Sequence, residues 1–349
     1  MSEFFRNILQ GLYTFSGNYG LAIILFTILV RLVLSPFDYK SRKSMRQMEK
    51  INPKIQALQK KYANDKEKLQ RKQAELYKKE HINPLGSCLP VLLTFPILII
   101  MFNAMRAVAN EHLVRLVQEL YTAVGDLTDT AEIAAALPTV EALREMRLIE
   151  PFLWIKNLWV HDSPFTSFLP TSSSALMAIK SISGVATGEE IEALKAFMDG
   201  DIYKNIVLTH YNATTIPGGV VNFLIVQLQL YHQPNGYFIL PVLSGASQYL
   251  MTIVNPAATG AQQTGEGQQN GTGAFMKWFF PLFSIYICAT SNSAFSLYWV
   301  VANLASMLRS SSTDTLRRRI KRKPLKLIPR RYNQRENHRC LRRHSRRGD

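Results

Sequence analysis

Hydrophobic residues in this chain gather into a few long runs instead of recurring every three or four positions, a pattern that predicts membrane-crossing helices and not one soluble core. A hydrocarbon layer of about 30 Å takes roughly 20 mostly apolar helical residues to cross. Residues 19–37, YGLAIILFTILVRLVLSPF, form the first such run and carry one charge, Arg31. Residues 84–106, 237–254, 275–290 and 294–308 supply four more, the last two separated by only Ser291, Asn292 and Ser293 and so predicted to form a tight helical hairpin. The run 220–230, VVNFLIVQLQL, is shorter, and Asn222, Gln227 and Gln229 mark it as amphipathic and not spanning.

Polar patterning fills in the remainder. Phe4, Phe5, Ile8, Leu9 and Leu12 fall at helical spacing, so residues 1–18 are expected to place a short helix in the outer interface. Segment 38–83 reads as a cytoplasmic helical hairpin, polar nearly all round: Pro53 interrupts it, a break falls near residues 62–65, and Asp65 caps a second helix with a thin stripe of Leu69, Leu76 and Tyr77. Residues 107–236 alternate helix-like pieces with Pro- and Ser-rich stretches, as in a small α-rich cap. Residues 255–274 are rich in Gly, Gln and Thr and read as a flexible loop. Residues 309–349, with RRRIKRK at 317–323, read as a disordered basic tail.

Charge orients this arrangement. The chain has 349 residues, 47% of them hydrophobic, and a net charge of +16. About fourteen basic residues against six acidic ones lie in 38–83, and about sixteen against three in 309–349, whereas 107–236 has about seven against fourteen. Basic loops stay on the cytoplasmic side. One topology satisfies all three segments, with the N-terminus out, the C-terminus in and 107–236 outside. A cleavable signal peptide is disfavoured, because Arg31 lies inside the first run and no A-x-A pattern follows it.

Candidate chemistry narrows the functional classes. The seven histidines are dispersed, no H-E-x-x-H or phosphate-cradling glycine loop is present, and Cys88, Cys288 and Cys340 are scattered, so neither an enzyme nor a metal or other cofactor is expected. Arg31 is the most informative residue, since a guanidinium in hydrocarbon costs several kcal/mol, on the order of 3 on insertion scales. It either snorkels to the cytoplasmic headgroups or lines a water-accessible cavity. Thr27, Arg31 and Ser35 share one helix face. Ser244 and Gln248, followed by Thr252, repeat the four-residue spacing in the third span, and Tyr286 and Thr290 repeat it in the fourth. These stripes either hydrogen-bond helices together or line one groove. Pro84, Pro90, Pro96 and Pro281 each remove a backbone donor and invite curvature.

The order of these elements, ILFTILVRLVLSPFDYKSRKSMRQMEKINPKIQALQKKY followed by ELYKKEHINPLGSCLPVLLTFPILI, closely resembles the YidC, mitochondrial and chloroplast insertase family, particularly its Gram-positive-type members. FLWIKNLW at 152–159, FILPVLSGASQYL and SLYWVVANL are weaker matches. The resemblance implies an all-α bacterial plasma-membrane protein: five transmembrane helices around a positively charged hydrophilic groove, with Arg31 as the groove arginine. It further implies a membrane protein insertase whose partners are nascent membrane proteins and membrane lipids. The basic tail suits the ribosome, and the Sec translocon is a further partner left open. A small-anion transporter or channel is the alternative. The segment 107–236 is longer than such members usually carry.

Overall fold

In the computed structural model, the structure describes residues 2–81, 89–223, 226–254 and 272–322. The chain is mostly helical. Helix α1 (Ser2–Ser16) turns at Gly17, whose positive φ of 68° suits a residue without Cβ, and α2 (Tyr19–Val33) begins under an Asn18 side chain that accepts hydrogen bonds from the Gly20 and Leu21 amides at 2.8 and 3.3 Å. Pro36 has no N–H for the Leu32 carbonyl, and the helix is interrupted at Leu34 before α3 (Ser35–Lys61) begins. The expected first span, 19–37, is therefore divided between two helices, and α2 itself is about 22 Å long at 1.5 Å per residue. Among the described residues, no helix is long and apolar enough to cross a membrane.

Helix α3 runs through Pro53, contrary to the expected interruption. The proline is exposed, and the carbonyl it leaves unpaired at Glu49 can bond to water. The break at residues 62–65 and the cap are as expected: Asp65 accepts from the Lys68 amide at 2.9 Å and starts α4 (Lys66–Lys79). None of the α4 side chains is buried. Lys54 of α3 pairs with Glu80 at 2.6 Å, an exposed contact that solvent screens, so charge adds little to the hairpin's cohesion.

Helix α5 (Leu89–Val124) extends well past residue 106. Its second half keeps an apolar face of Val114, Val117, Leu120 and Val124, and this face nucleates the core of the segment that follows. Around it pack α6 (Thr130–Ala136), α7 (Val140–Glu145), α8 (Gly188–Asp199) and a π-helical turn, Ile202–Val207, that leads into α9 (Leu208–His210). A Thr187–Glu190 capping box starts α8. The expected α-rich cap also contains strands, β1 (Thr215–Phe223) and β2 (Val226–Tyr231), paired antiparallel. Within the amphipathic run, residues 220–223 and 226–230 thus have a period of two and not 3.6, because Val and Phe favour the pleated chain and alternate with Asn and Gln.

Helices α10 (Ile239–Val254), α11 (Thr272–Thr290) and α12 (Ser293–Arg322) follow. A Cβ on Gly245 would lie 2.5 Å from Ile285 Cγ1 and 3.2 Å from the Pro281 carbonyl, so α10 and α11 meet closely at a position that admits only glycine. Pro281 lies within α11 and Pro96 within α5. The Asn292 side chain accepts from the Phe295 amide at 2.9 Å and caps α12, which makes the two-residue turn after α11 a stable hairpin. Helix α12 continues to Arg322, so residues 309–322 of the expected unfolded tail are helical. Extending an existing helix avoids the cost of nucleation, and Leu and Arg are good helix formers. Most of the 255–274 loop, Pro84 and the tail beyond 322 lie outside the described residues.

Candidate functional site

Two sets of polar groups are built into the second hydrophobic core, which joins α1, α2, the first half of α5 and α12 through residues such as Tyr19, Phe26, Met105 and Phe295. The first set lies along the helices. Thr27 is fully buried and donates to the Ile23 carbonyl at 2.6 Å, so its hydroxyl is satisfied within α2. One turn later Arg31 is half-buried in the last turn of α2, where the negative end of the helix dipole favours a cation. Its charge reaches the buried Tyr298 phenol of α12. Ser35, half-buried, opens α3.

Ser244 is buried between α10 and α11, donating to the Pro241 carbonyl at 2.7 Å and to the Ser284 carbonyl at 3.1 Å. Asn303 of α12 donates to Ser247 Oγ at 3.1 Å, so hydroxyls join all three helices. Gln248 is half-buried, and its carbonyl accepts from Thr252 at 3.1 Å. Tyr286 and Thr290 are placed differently. Tyr286 is 65% exposed, and Thr290 is exposed with its hydroxyl turned back to the Tyr286 carbonyl at 3.0 Å. The inward face of α11 instead carries Ser284, two residues or about 200° away, fully buried and without a protein partner for its hydroxyl among the described residues. Periodicity identified the polar stripes. Which side of α11 faced inward was legible only from the packing at Gly245.

The second set seals one end of the bundle. Asp162, 1% exposed, accepts from the Tyr237, Phe238 and Leu240 amides at 2.9, 3.2 and 2.6 Å and from the Trp154 indole at 3.3 Å, which fastens the start of α10. Asn235 is bound on both sides by the Asn157 backbone, and its amide also donates to the His161 carbonyl at 2.9 Å. The amides of Ser293 and Ala294 donate to Val160 and Leu158, each at 2.9 Å, so the same loop grips the α11–α12 turn. Sequence reading missed Asp162 and Asn235. Acidic and amide residues in a loop look solvated until the chain folds over them.

Beside this seal a buried carboxyl meets an aromatic stack. Glu150, 6% exposed, accepts from the Tyr13 hydroxyl of α1 at 3.1 Å, while His112 of α5 stacks on Trp159 at 4.8 Å and meets Tyr19 of α2 edge-on at 5.5 Å. Arg147 lies 5.1 Å over the Tyr13 ring, and Glu111 and Arg115 face the stack from α5. Burial pushes the Glu150 carboxyl up to about 7, opposed by the Tyr13 hydrogen bond and the Arg147 charge. Burial pushes the His112 imidazole down to about 4, opposed chiefly by its contact with the Arg147 carbonyl.

The two groups act on stability with opposite sign. Folded Glu150 keeps its proton up to about pH 7, whereas the unfolded carboxyl loses it near 4.5, so its contribution is full below 4.5 and lost as pH rises to 7. Folded His112 stays neutral down to about 4, whereas the unfolded ring protonates near 6.5, so its contribution is full above 6.5 and lost as pH falls to 4. Between these limits the two slopes oppose each other, and wild-type stability is expected to be nearly flat. Glu150→Gln should become more stable from pH 4 to 6.5, and His112→Gln less stable from pH 4.5 to 7, each by up to about 3 kcal/mol. Unfolding midpoints against pH in detergent check this; parallel curves for both variants and wild type would rule it out.

Comparison with known proteins bears on the helical core as well as the seal. The family model described as 60Kd inner membrane protein matches residues 11–227 and 207–318. A protein named "Membrane protein insertase YidC" from Anaeromyxobacter dehalogenans (strain 2CP-C) is 29% identical over 235 residues, 65% of this chain and 35% of that protein. The Fusobacterium nucleatum protein of the same name is 40% identical over 107 residues, 31% of this chain and 52% of its own length, and that of Geobacter sp. (strain M21) is 43% identical over 97 residues, 28% and 18%. The chain thus spans about a third of the length of the first of these relatives. Since the family match takes in α2 with its arginine, the sealing loop and the α10–α12 bundle, the chain belongs to the 60Kd inner membrane protein family.

Proposed function

We propose that the chain is a membrane protein insertase, which holds polar segments of nascent membrane proteins in a positively charged groove while their apolar segments pass into lipid. The observation that carries this reading is Arg31: a cation half-buried at the C-terminal turn of an otherwise uncharged helix. In a low-dielectric cleft such a charge attracts acidic segments strongly and shortens the hydrocarbon path they must cross. Ser35 and Gln248, both half-buried, supply further polar groups to this groove, whereas Thr27 and Ser244 are fully buried and hydrogen-bonded within the bundle. Tyr286 and Thr290 contribute at its lipid-facing side. No covalent reaction and no cofactor enter the scheme.

Five helices are proposed to cross the bacterial plasma membrane: α2 with the start of α3, the first half of α5, α10, α11 and the first half of α12. The support is an exposed apolar belt. Leu21, Leu25, Ile28 and Leu32 of α2, Val242 and Leu250 of α10, and Trp278 and Leu282 of α11 all lie open, and water would not tolerate so much contiguous apolar surface on a stable fold. The opposite faces of the same helices carry the buried hydroxyls described above. The N-terminus and residues 107–236 are proposed to face outward, where the Asp162 loop closes the groove, and α3–α4 and the tail to face the cytoplasm. There the basic tail suits the ribosome, or anionic lipid, through charge contacts weakened by salt. The Sec translocon is a proposed further partner.

A photoreactive group at position 31 tests the reading. It should crosslink stalled nascent chains of membrane proteins, most strongly when an acidic residue of the client is near. Labelling by lipid alone would mean that Arg31 snorkels, and labelling by a small anion without nascent chains would favour a transporter.

A further inference from the structure

The β1–β2 hairpin has a sided surface that neither the groove nor the seal uses. Its register pairs Val221 with Leu228 and, on the alternate face, Asn222 with Gln227 and Val220 with Gln229. Directly paired residues share a face and successive residues alternate. Val221, Val226 and Leu228 therefore stand together on one side, and Asn222, Gln227 and Gln229, with Val220 beside them, on the other. Val221 and Val226 are 41% and 51% exposed, so the apolar side is not packed on the protein. At its base the hairpin is held firmly: the Tyr231 amide donates to the Pro164 carbonyl, the His232 amide to Thr214, and the Gln233 amide to Asn212. The irregular register between Thr215 and Val220, with Gly218 at φ 73°, lets the ribbon bend away from that base.

Two further observations identify what covers this side. Residues 205–265 contain no Asp, Glu, Lys or Arg, whereas the stretch just before them, 189–204, carries seven. A surface that meets water or a steered protein partner normally carries charge, whereas one that meets the bilayer boundary is poor in it. The hairpin also leads, within eight residues of Tyr231, into α10, with Tyr237 exposed just before the helix and Val242 exposed in its first turn. An exposed tyrosine at the start of an apolar helix suits the headgroup level.

We propose that the hairpin lies in the outer boundary of the lipid bilayer, with Val221, Val226 and Leu228 turned into the acyl region and Asn222, Gln227 and Gln229 toward headgroups and water. The hairpin forms a lipid-binding outrigger for the outer domain. Since it has no charge, its contact is with the apolar boundary and not with a particular headgroup. The proposal rests on the reading that α10 crosses the bilayer.

The test is nitroxide accessibility in nanodiscs, using the full chain with Cys88, Cys288 and Cys340 replaced and a single cysteine at Val221, Val226, Gln227, Gln229 or Leu250. Oxygen should broaden the spectra at 221, 226 and 250 more than a water-soluble nickel complex does, and the order should reverse at 227 and 229. Phosphatidylcholine and phosphatidylglycerol discs should give the same result. Water-like accessibility at 221 and 226 with a lipid-like label at 250 overturns the proposal while leaving the bilayer reading intact. A water-like label at 250 overturns the bilayer reading itself. Protection of 221 and 226 only when a client protein is added would make the hairpin a client-docking strand, and would likewise overturn it.

Discussion

Replacing Arg31 with alanine is expected to lower the insertion of clients with acidic translocated segments by tenfold or more, while the protein still folds and reaches the membrane. The arginine supplies the fixed charge of the proposed groove, and a loss of about 1.4 kcal/mol of attraction already corresponds to a factor of ten. Folding should be spared, because Arg31 is only half-buried and its neighbours Phe26 and Thr27 make the packing contacts of α2. Arg31→Lys should keep much of the activity, since charge and not the planar fork is proposed to matter. Reconstituted vesicles with one acidic and one uncharged client provide the measurement. Equal loss for both clients would point to a packing role, and normal insertion of the acidic client by Arg31→Ala would end the groove-charge idea.

Asp162→Ala should have the largest effect on the fold. One buried carboxylate accepts from three backbone amides and the Trp154 indole, and its removal takes the acceptor from all four donors, the Leu240 amide fully buried and the others partly so. Losing an acceptor shared by several donors, one of them fully buried, costs about 2–3 kcal/mol. Alanine also vacates space against Gly236, where the backbone approaches the carboxylate so closely that no Cβ would fit. Asp162→Asn, which keeps one acceptor oxygen, should lose less. We expect protease cleavage around residues 232–240 and a lowered unfolding midpoint in detergent for the alanine variant, with the asparagine variant between it and wild type. A midpoint within a degree or two of wild type would mean that the loop does not fasten α10. If the seal is fastened as described, opening it should also let water reach the polar interior from the outer side.

The two predictions separate what each level of organisation supplies. Apolar runs, the uneven charge of the segments between them and the lone Arg31 were legible without any fold, because each is a property of composition residue by residue. The resemblance carried by the run around Arg31 and by the NPLGSCLP entry was equally local, and the family match agrees with it. The Asp65 cap and the break before it were legible for the same reason, since capping is satisfied within one turn.

Tertiary structure decided the rest. It divided the expected first span at Leu34, carried α5 on past residue 106, and paired residues 220–223 with 226–229 of the amphipathic run as antiparallel strands. In the last case the alternation was visible, but Asn222, Gln227 and Gln229 fit a helical face nearly as well as a strand until the pairing of Val221 with Leu228 fixed the period. It set Ser284, not Tyr286, on the inner side of α11, because only the close approach at Gly245 fixes the rotation of that helix. It also gave Asp162 its four partners from residues up to 78 positions away. Short-range physics writes helices, caps and charge bias into the sequence itself. Which polar group ends up buried, and against what, depends on contacts between distant segments that exist only once the chain has folded.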